Sequence, residues 1–221
     1  MIKAIIFDFD GTLSNRSANA YYLFKDYFKP YFKDFNEIEY EAVIQDMMTF
    51  DCNGTTNVKN RINLFVEKYN DFFNEEAGKK FADDFYEYMW KYVQLKPTTK
   101  NVLKELKGKY KLGILSNGNS KAQHAKIDNC NFKEYFDEIL VSGDIGINKP
   151  NKEVFEIMAN RLNVKAEECV FVGDVFSSDI LGATRANMTP IWIVPDYERP
   201  SSYKGIRIQK LEELIEILNN I

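Results

Sequence analysis

Apolar and polar positions change texture three times along the chain. Residues 3–9, KAIIFDF, are apolar and β-branched up to a pair of acids, and they read as a buried strand. From about Asn15 to Val93, apolar and aromatic residues recur at helical spacing. The sets are Phe24, Tyr27, Phe28, Tyr31 and Phe35; Val43, Met47 and Phe50; Ile62, Phe65, Val66 and Tyr69; and Phe81, Phe85, Tyr88 and Met89. Three- and four-residue spacing gathers each set on one helix face, so this stretch predicts amphipathic helices with no strand among them. Pro30 lacks an N–H and should break or kink the first helix. DCNGTTN at 51–57 predicts a loop, with Asn-Gly as its turn signal.

After Pro97 the pattern alternates. A helix over about Thr98–Lys107 precedes the strand KLGILSN (111–117), and a helix near 119–129 precedes EILVSGD (138–144). NKEVFEIMANRL predicts a helix with Asn151 as N-cap. The strand CVFVGD (169–174), a helix from Ser177 to about Ala186, the strand PIWIV and a helix from about Lys210 follow. Strands alternating with helices imply βαβ units and a parallel sheet. The expected fold is therefore α/β: a doubly wound, Rossmann-like core over 1–14 and 94–221, interrupted by an all-helical segment over 15–93.

The acids that end the first strand need explaining. Asp8 and Asp10 are two apart, so in a strand they share a face. Side-by-side carboxylates repel unless something positive lies between them. A solvated strand end with an Asp-Gly turn is the bland alternative. Ligands of an open parallel sheet bind beyond the carboxyl ends of its strands, so the other strand ends decide the matter. The second strand ends in Ser116-Asn117-Gly118, the third leads to Asp144 and then Lys149-Pro150, and the fourth ends in Gly173-Asp174 with Asp179 just beyond. Acids, a hydroxyl, a lysine and glycine turns would converge on one crevice.

Composition narrows the partners. The chain has 221 residues, 45% hydrophobic, with a formal net charge of −4. Its length suits one large domain, or one domain carrying an insertion. No apolar run approaches the ~20 residues that span a bilayer, and the N-terminus shows no signal-peptide pattern, so a cytoplasmic location with no membrane partner is expected. No Lys/Arg block stands out, which argues against nucleic acid as a partner. Cys52, Cys130 and Cys169 lack paired metal spacing and read as reduced structural thiols. The single His124 lies in a helix-like stretch and reads as structural, so no His-based triad or zinc site can be built.

Phosphoryl transfer suits such a crevice. Hard oxygen ligands favour Mg²⁺, which would stabilise the clustered acids. One carboxylate can attack phosphorus and form an aspartyl-phosphate. A second can serve as acid and then base. Lysine, hydroxyl and backbone amides can stabilise charge on the equatorial oxygens.

With these residues in place, the chain resembles the haloacid dehalogenase superfamily of aspartate-nucleophile phosphohydrolases. DFDGTL resembles its first motif, Ser116-Asn117 its second, Lys149 in GINKPNKEVF its third, and GDVFSSDI (173–180) its fourth. The helical insert is similar to the family's small helical cap. VSGDIGINKPNKEVF is similar to the nucleoside 5′-monophosphatase branch.

The resemblance implies Asp8 as nucleophile and metal ligand, and Asp10 as general acid/base with its backbone carbonyl on Mg²⁺. It implies Thr12 in a mobile turn beside the site, and Ser116 and Asn117 on the phosphoryl group. Lys149 would pair with that group and with Asp8. Asp174 would be the third protein ligand of the metal, and Asp179 a partner behind it, such as to Lys149. Dehalogenase members lack a carboxylate at the Asp10 position, which argues against C–halogen cleavage. The expected substrate is a small phosphorylated metabolite held beneath a closing cap, with no protein partner. A phosphosugar mutase and a catalytically idle binding module are the alternatives. Asn15, Arg16, Asn53 and Thr55 are the candidate contacts for specificity, and an exposed solvated loop explains them equally well.

Overall fold

The computed structural model describes residues 1–194 and 201–221. In chain order it holds β1 (Ala4–Phe7), then the helices α1 (Arg16–Phe28), α2 (Glu37–Asp51), α3 (Val58–Tyr69) and α4 (Glu75–Tyr88). Next come α5 (Thr99–Leu106), β2 (Lys111–Ser116), α6 (Ser120–Asn129), β3 (Glu138–Val141), α7 (Ser142–Ile145) and α8 (Lys152–Arg161). β4 (Cys169–Gly173), α9 (Leu181–Arg185), β5 (Thr189–Ile193), β6 (Ile206–Ile208) and α10 (Glu213–Leu218) complete the order. Two compact units result: Met1–Asn15 with Leu95–Ile221, and Arg16–Gln94.

The first unit is built on a parallel sheet with strand order β3-β2-β1-β4-β5-β6. β1 pairs with β2 on one side and β4 on the other, with Phe7 opposite both Ile114 and Val172. All four β1 residues are buried, as both faces of a parallel sheet must be. Strand order reverses at β1, and that is where an open α/β sheet leaves a crevice at its carboxyl edge. β1, β2 and β4 end near one another at that edge, so Asp8, Asn117 and Asp174 leave the sheet there after Phe7, Ser116 and Gly173.

Local chemistry shifts several boundaries. EILVSGD was expected to be strand to residue 144, but β3 stops at Val141 and Ser142–Ile145 is one helical turn. The reason is Asp144, whose Oδ2 accepts the Val141 N–H at 3.1 Å and so caps a helix. The helix expected from Ser177 opens instead with a wide π turn at Phe176–Ile180 before α9. There Asp179 accepts from the Val175 N–H at 2.9 Å, drawing the turn around its own carboxylate. β6 was missed because three residues are too few to show a period. The last helix starts at Glu213 rather than Lys210, and Glu213 Oε1 accepts the N–H groups of Gln209 and Lys210.

In the second unit, α1 ends at Phe28 and Pro30 sits in the 3₁₀ turn that follows. Asn36, Asn57 and Asn74 cap the starts of α2, α3 and α4 with their side chains. α2 runs one residue into the expected loop, to Asp51, and its carboxylate accepts the Gly54 N–H. The core is aromatic. Phe28 lies 4.5 Å centroid to centroid from Phe65, and 5.1 Å from both Phe73 and Phe81. Phe28→Ala should therefore cost about 3–5 kcal/mol through lost transfer energy and the cavity left behind. Urea unfolding followed by circular dichroism checks this, and an unchanged midpoint would contradict it. Buried Asp51 takes the guanidinium groups of both Arg16, at 3.0 Å, and Arg61, and Arg61 also lies 4.3 Å from the Phe85 ring centroid.

Cys130 and Cys169 are buried free thiols and Cys52 is exposed. Burial pushes the thiols of Cys130 and Cys169 up to about 12, which keeps them protonated and inert. Among the described residues, no helix is long and apolar enough to cross a membrane.

Candidate active site

Asp8 follows the last residue of β1, and its N–H donates to the Val172 carbonyl at 2.9 Å. That bond continues the ladder one step past the strand and aims the carboxylate off the sheet edge. Lys149 arrives from the loop between α7 and α8. Its Nζ stands 2.6 Å from Asp8 Oδ1 and 2.8 Å from Asp179 Oδ1. The loop is held by Asn117: its Nδ2 donates to the Lys149 carbonyl at 3.0 Å, and its Oδ1 accepts the Lys149 N–H at 2.9 Å. The end of β2 thus fixes the backbone that delivers the lysine.

Asp174 follows β4, and its carbonyl accepts the indole N–H of Trp192 in β5 at 2.9 Å. Its Oδ1 accepts from the buried Thr12 hydroxyl at 3.4 Å. Gly11 makes this approach possible. It has φ +89°, and a Cβ there would lie 2.3 Å from Asp174 Oδ2. Any side chain would both strain the turn and displace the acid.

Ligand atoms of Asp8, Asp174 and Asp179 all lie within 4.8 Å of one another, and all three residues are buried. Three carboxylates share one ammonium in contact, which touches Asp8 and Asp179. The titration behaviour shows the cost. Burial, reinforced by Asp179, pushes Asp174 up to about 7, although Lys149 and Lys96 oppose it. Burial also raises Asp8 well above the usual carboxylate range, against the pull of Lys149. Burial draws Lys149 down, but the charges of Asp179 and Asp8 outweigh it and the ammonium is held above its ordinary value. A close set of hard, buried carboxylate oxygens whose charged forms are disfavoured by burial and mutual repulsion fits a divalent cation such as Mg²⁺.

Asp10 turns another way. Its Oδ2 takes Lys126 Nζ at 2.5 Å and Gln123 Nε2 at 2.9 Å, and its Oδ1 takes the Ser14 hydroxyl at 3.4 Å. Ser116 is buried and its Oγ accepts from the same Gln123 amide at 2.7 Å. The site's polar residues therefore form two groups. One gathers Asp8, Lys149, Asn117, Asp174, Asp179 and Thr12; the other gathers Asp10, Ser116 and Ser14 around α6. Sequence reasoning missed Gln123 and Lys126. The available signal was their position on the buried face of α6, alongside Ala122 and Ile127.

Within the helical unit, the Arg16 guanidinium pairs with Asp51, Asn53 Oδ1 accepts from Ser17, and the Thr55 hydroxyl donates to the Cys52 carbonyl. Asn15 is exposed at the end of the sheet unit's first segment. His124 Nε2 lies 3.0 Å from Asp144, which also takes the Ser120 hydroxyl at 2.5 Å. With Asp144 between the imidazole and the serine, the order is not that of a Ser-His-Asp triad.

The sequence model of haloacid dehalogenase-like hydrolases matches residues 5–193, most of the chain. The chain belongs to the haloacid dehalogenase-like hydrolase family. It is an enzyme of the phosphatase kind. It is 31% identical over 197 residues to a glyceraldehyde 3-phosphate phosphatase of Methanothermobacter thermautotrophicus, covering 87% of this chain and 86% of that one. A pyrimidine 5′-nucleotidase of Escherichia coli is 28% identical over 220 residues, covering 97% and 96%. Among solved structures, a magnesium-bound haloacid dehalogenase-type hydrolase of Bacillus subtilis superposes with a TM-score of 0.77 at 25% identity, covering 99% of both chains. The family's parallel-sheet architecture and the sheet found here agree.

Proposed function

We propose that this hydrolase cleaves phosphomonoesters of small metabolites through an aspartyl-phosphate on Asp8, with Mg²⁺ bound. The observation that carries the reading is Lys149, held between Asp8 and Asp179 beside Asp174 in a buried acid cluster. Asp8 and Asp174 are the side chains that would hold the cation, with the Asp10 backbone carbonyl. When bound, the cation would supply charge neutralisation for the acids and the phosphoryl oxygens.

The chain's own residues do the rest. The Asp8 carboxylate attacks phosphorus, forming a P–O bond as the ester P–O bond breaks. Asp10 gives a proton to the departing alkoxide, then takes one from the water that cleaves the aspartyl-phosphate, which frees Asp8 and releases phosphate. Lys149 offsets charge on Asp8 and on the transferred group. Asp179 keeps the ammonium in place, and Asn117 fixes its loop. Ser116 Oγ and the Asn117 main-chain N–H would donate to the phosphoryl oxygens. Thr12 holds Asp174.

Among substrates, nucleoside 5′-monophosphates are favoured by the tract around Lys149 and by the likeness to a pyrimidine 5′-nucleotidase. A panel of phosphorylated metabolites tests both levels. Phosphate release that requires Mg²⁺ and stops with chelator is expected, and full activity without bound metal would contradict the mechanism. Nucleoside monophosphates should rank among the better substrates; triose or sugar phosphates exceeding all of them by about tenfold in kcat/KM would overturn that choice. Isomerisation of a sugar phosphate, without net phosphate release, would mark a mutase instead.

A further inference from the structure

Gln123 and Lys126, three residues apart on α6, are 4% and 5% exposed. Polar groups so deeply placed on a helix face need partners, and here the partners are Asp10 and Ser116. Gln123 Nε2 lies 2.9 Å from Asp10 Oδ2 and 2.7 Å from Ser116 Oγ, so one amide serves both residues. The opposite amide orientation would set its oxygen against the Asp10 carboxylate, which only accepts. Because Ser116 Oγ accepts from Gln123, its own hydrogen is directed to a different acceptor.

Lys126 Nζ adds a charged donor at 2.5 Å to the same Asp10 oxygen. Room for this arrangement comes from Gly118, with φ +146°. A Cβ there would lie 2.8 Å from Gln123 Cγ.

We propose that Gln123 and Lys126 are positioning residues for hydrolysis, acting through Asp10 and Ser116. They anchor the Asp10 carboxylate by Oδ2, so that proton exchange falls to Oδ1 on the other side of the group. Gln123 in addition aims the Ser116 hydroxyl as a donor towards a phosphoryl oxygen. Neither residue touches the reacting atoms. The inference rests on the function proposed above.

A double-mutant cycle tests it, with p-nitrophenyl phosphate as substrate. Lys126→Met keeps the volume and removes the charged donor. It should lower kcat about ten- to hundredfold, the worth of a hydrogen bond to a charged group, while leaving KM nearly unchanged. Lys126→Arg should recover most of that loss. In an Asp10→Asn background, Lys126→Met should cost less than about twofold, because its target is already gone. Gln123→Met should lower kcat and also raise KM, since it releases Ser116 as well.

Equal losses from Lys126→Met in both backgrounds would overturn the inference. So would a lowered melting temperature with kcat unchanged, which is the mark of a buried ion pair that only stabilises. The parent chain is the control. If it releases no phosphate from any ester, the proposed function fails and takes this inference with it, whereas an active parent without the split overturns the inference alone.

Discussion

Asp8→Asn will fold like the parent chain and hydrolyse no phosphomonoester at a useful rate. Asparagine has nearly the same shape, and its oxygen can still accept from Lys149. The ammonium also keeps Asp179 at 2.8 Å, so it is not left as an unpaired buried charge. Burial and the neighbouring acids make the Asp8 carboxylate costly, and removing its charge eases the repulsion with Asp179 and Asp174. Stability should therefore change little. Chemistry should not survive, because an amide cannot serve as the nucleophile that splits the reaction into two steps. A loss of about four orders of magnitude or more is expected when a group of this kind is removed. Steady-state kinetics with p-nitrophenyl phosphate, beside a thermal melt, measures both halves. A folded variant with near-normal turnover would take the nucleophile's role from Asp8.

Asp10→Asn should divide substrates by their leaving groups. A p-nitrophenolate departs unprotonated, whereas a sugar or ribose alkoxide needs a proton as the P–O bond breaks. General acid catalysis is worth about 10²–10⁴-fold, so the phosphorylation step should slow by that factor for alkyl esters and far less for the aryl ester. The same carboxylate activates water in the second step, so hydrolysis of the aspartyl-phosphate should slow for both. Single-turnover traces with the aryl ester should then show a burst of nitrophenolate followed by a slow steady state. The cation should stay bound, because the contact proposed for this residue is its backbone carbonyl. Equal slowing of phosphorylation for both esters, without a burst, would make Asp10 a structural residue and leave the acid/base step without a group to perform it.

Most of the sheet was legible because a parallel strand buried on both faces must be a short apolar run, and Ala4–Phe7 and Cys169–Gly173 are such runs. Strand order was not. Nothing local in Phe7 says that Ile114 and Val172 will flank it, so the convergence of strand ends had to be inferred from a general rule about open sheets. Side-chain bonds caused the misplaced boundaries: Asp144 capping Val141 ended β3 early, and Asp179 accepting from Val175 widened the turn before α9. Hydrophobic periodicity carries no trace of either bond.

The site shows the same division. Asp8 and Asp174 could be picked out because acids directly after apolar strands are conspicuous, and Lys149 and Asp179 because they lie in the connections that follow the third and fourth strands. Gln123 and Lys126 offer less: helical spacing puts them on one face of α6 with Ala122 and Ile127, but nothing in that spacing shows their contacts across the chain to Asp10. The Asn117 side chain is a further case. Its place in a motif marks it as a phosphoryl contact, whereas in the structure its amide is engaged on both sides with the Lys149 backbone. A phosphoryl group would then meet its main-chain N–H.

The most direct test of the account is to find the phosphoryl group on the protein. Asp10→Asn should be mixed with p-nitrophenyl phosphate and Mg²⁺, quenched in acid within the burst, digested and mapped by mass spectrometry. The account predicts a phosphoryl adduct on the peptide that contains Asp8, released by hydroxylamine as an acyl phosphate is, and absent from Asp8→Asn treated in the same way. A burst of nitrophenolate with the adduct on Ser116, or with no adduct anywhere on the chain, would contradict it.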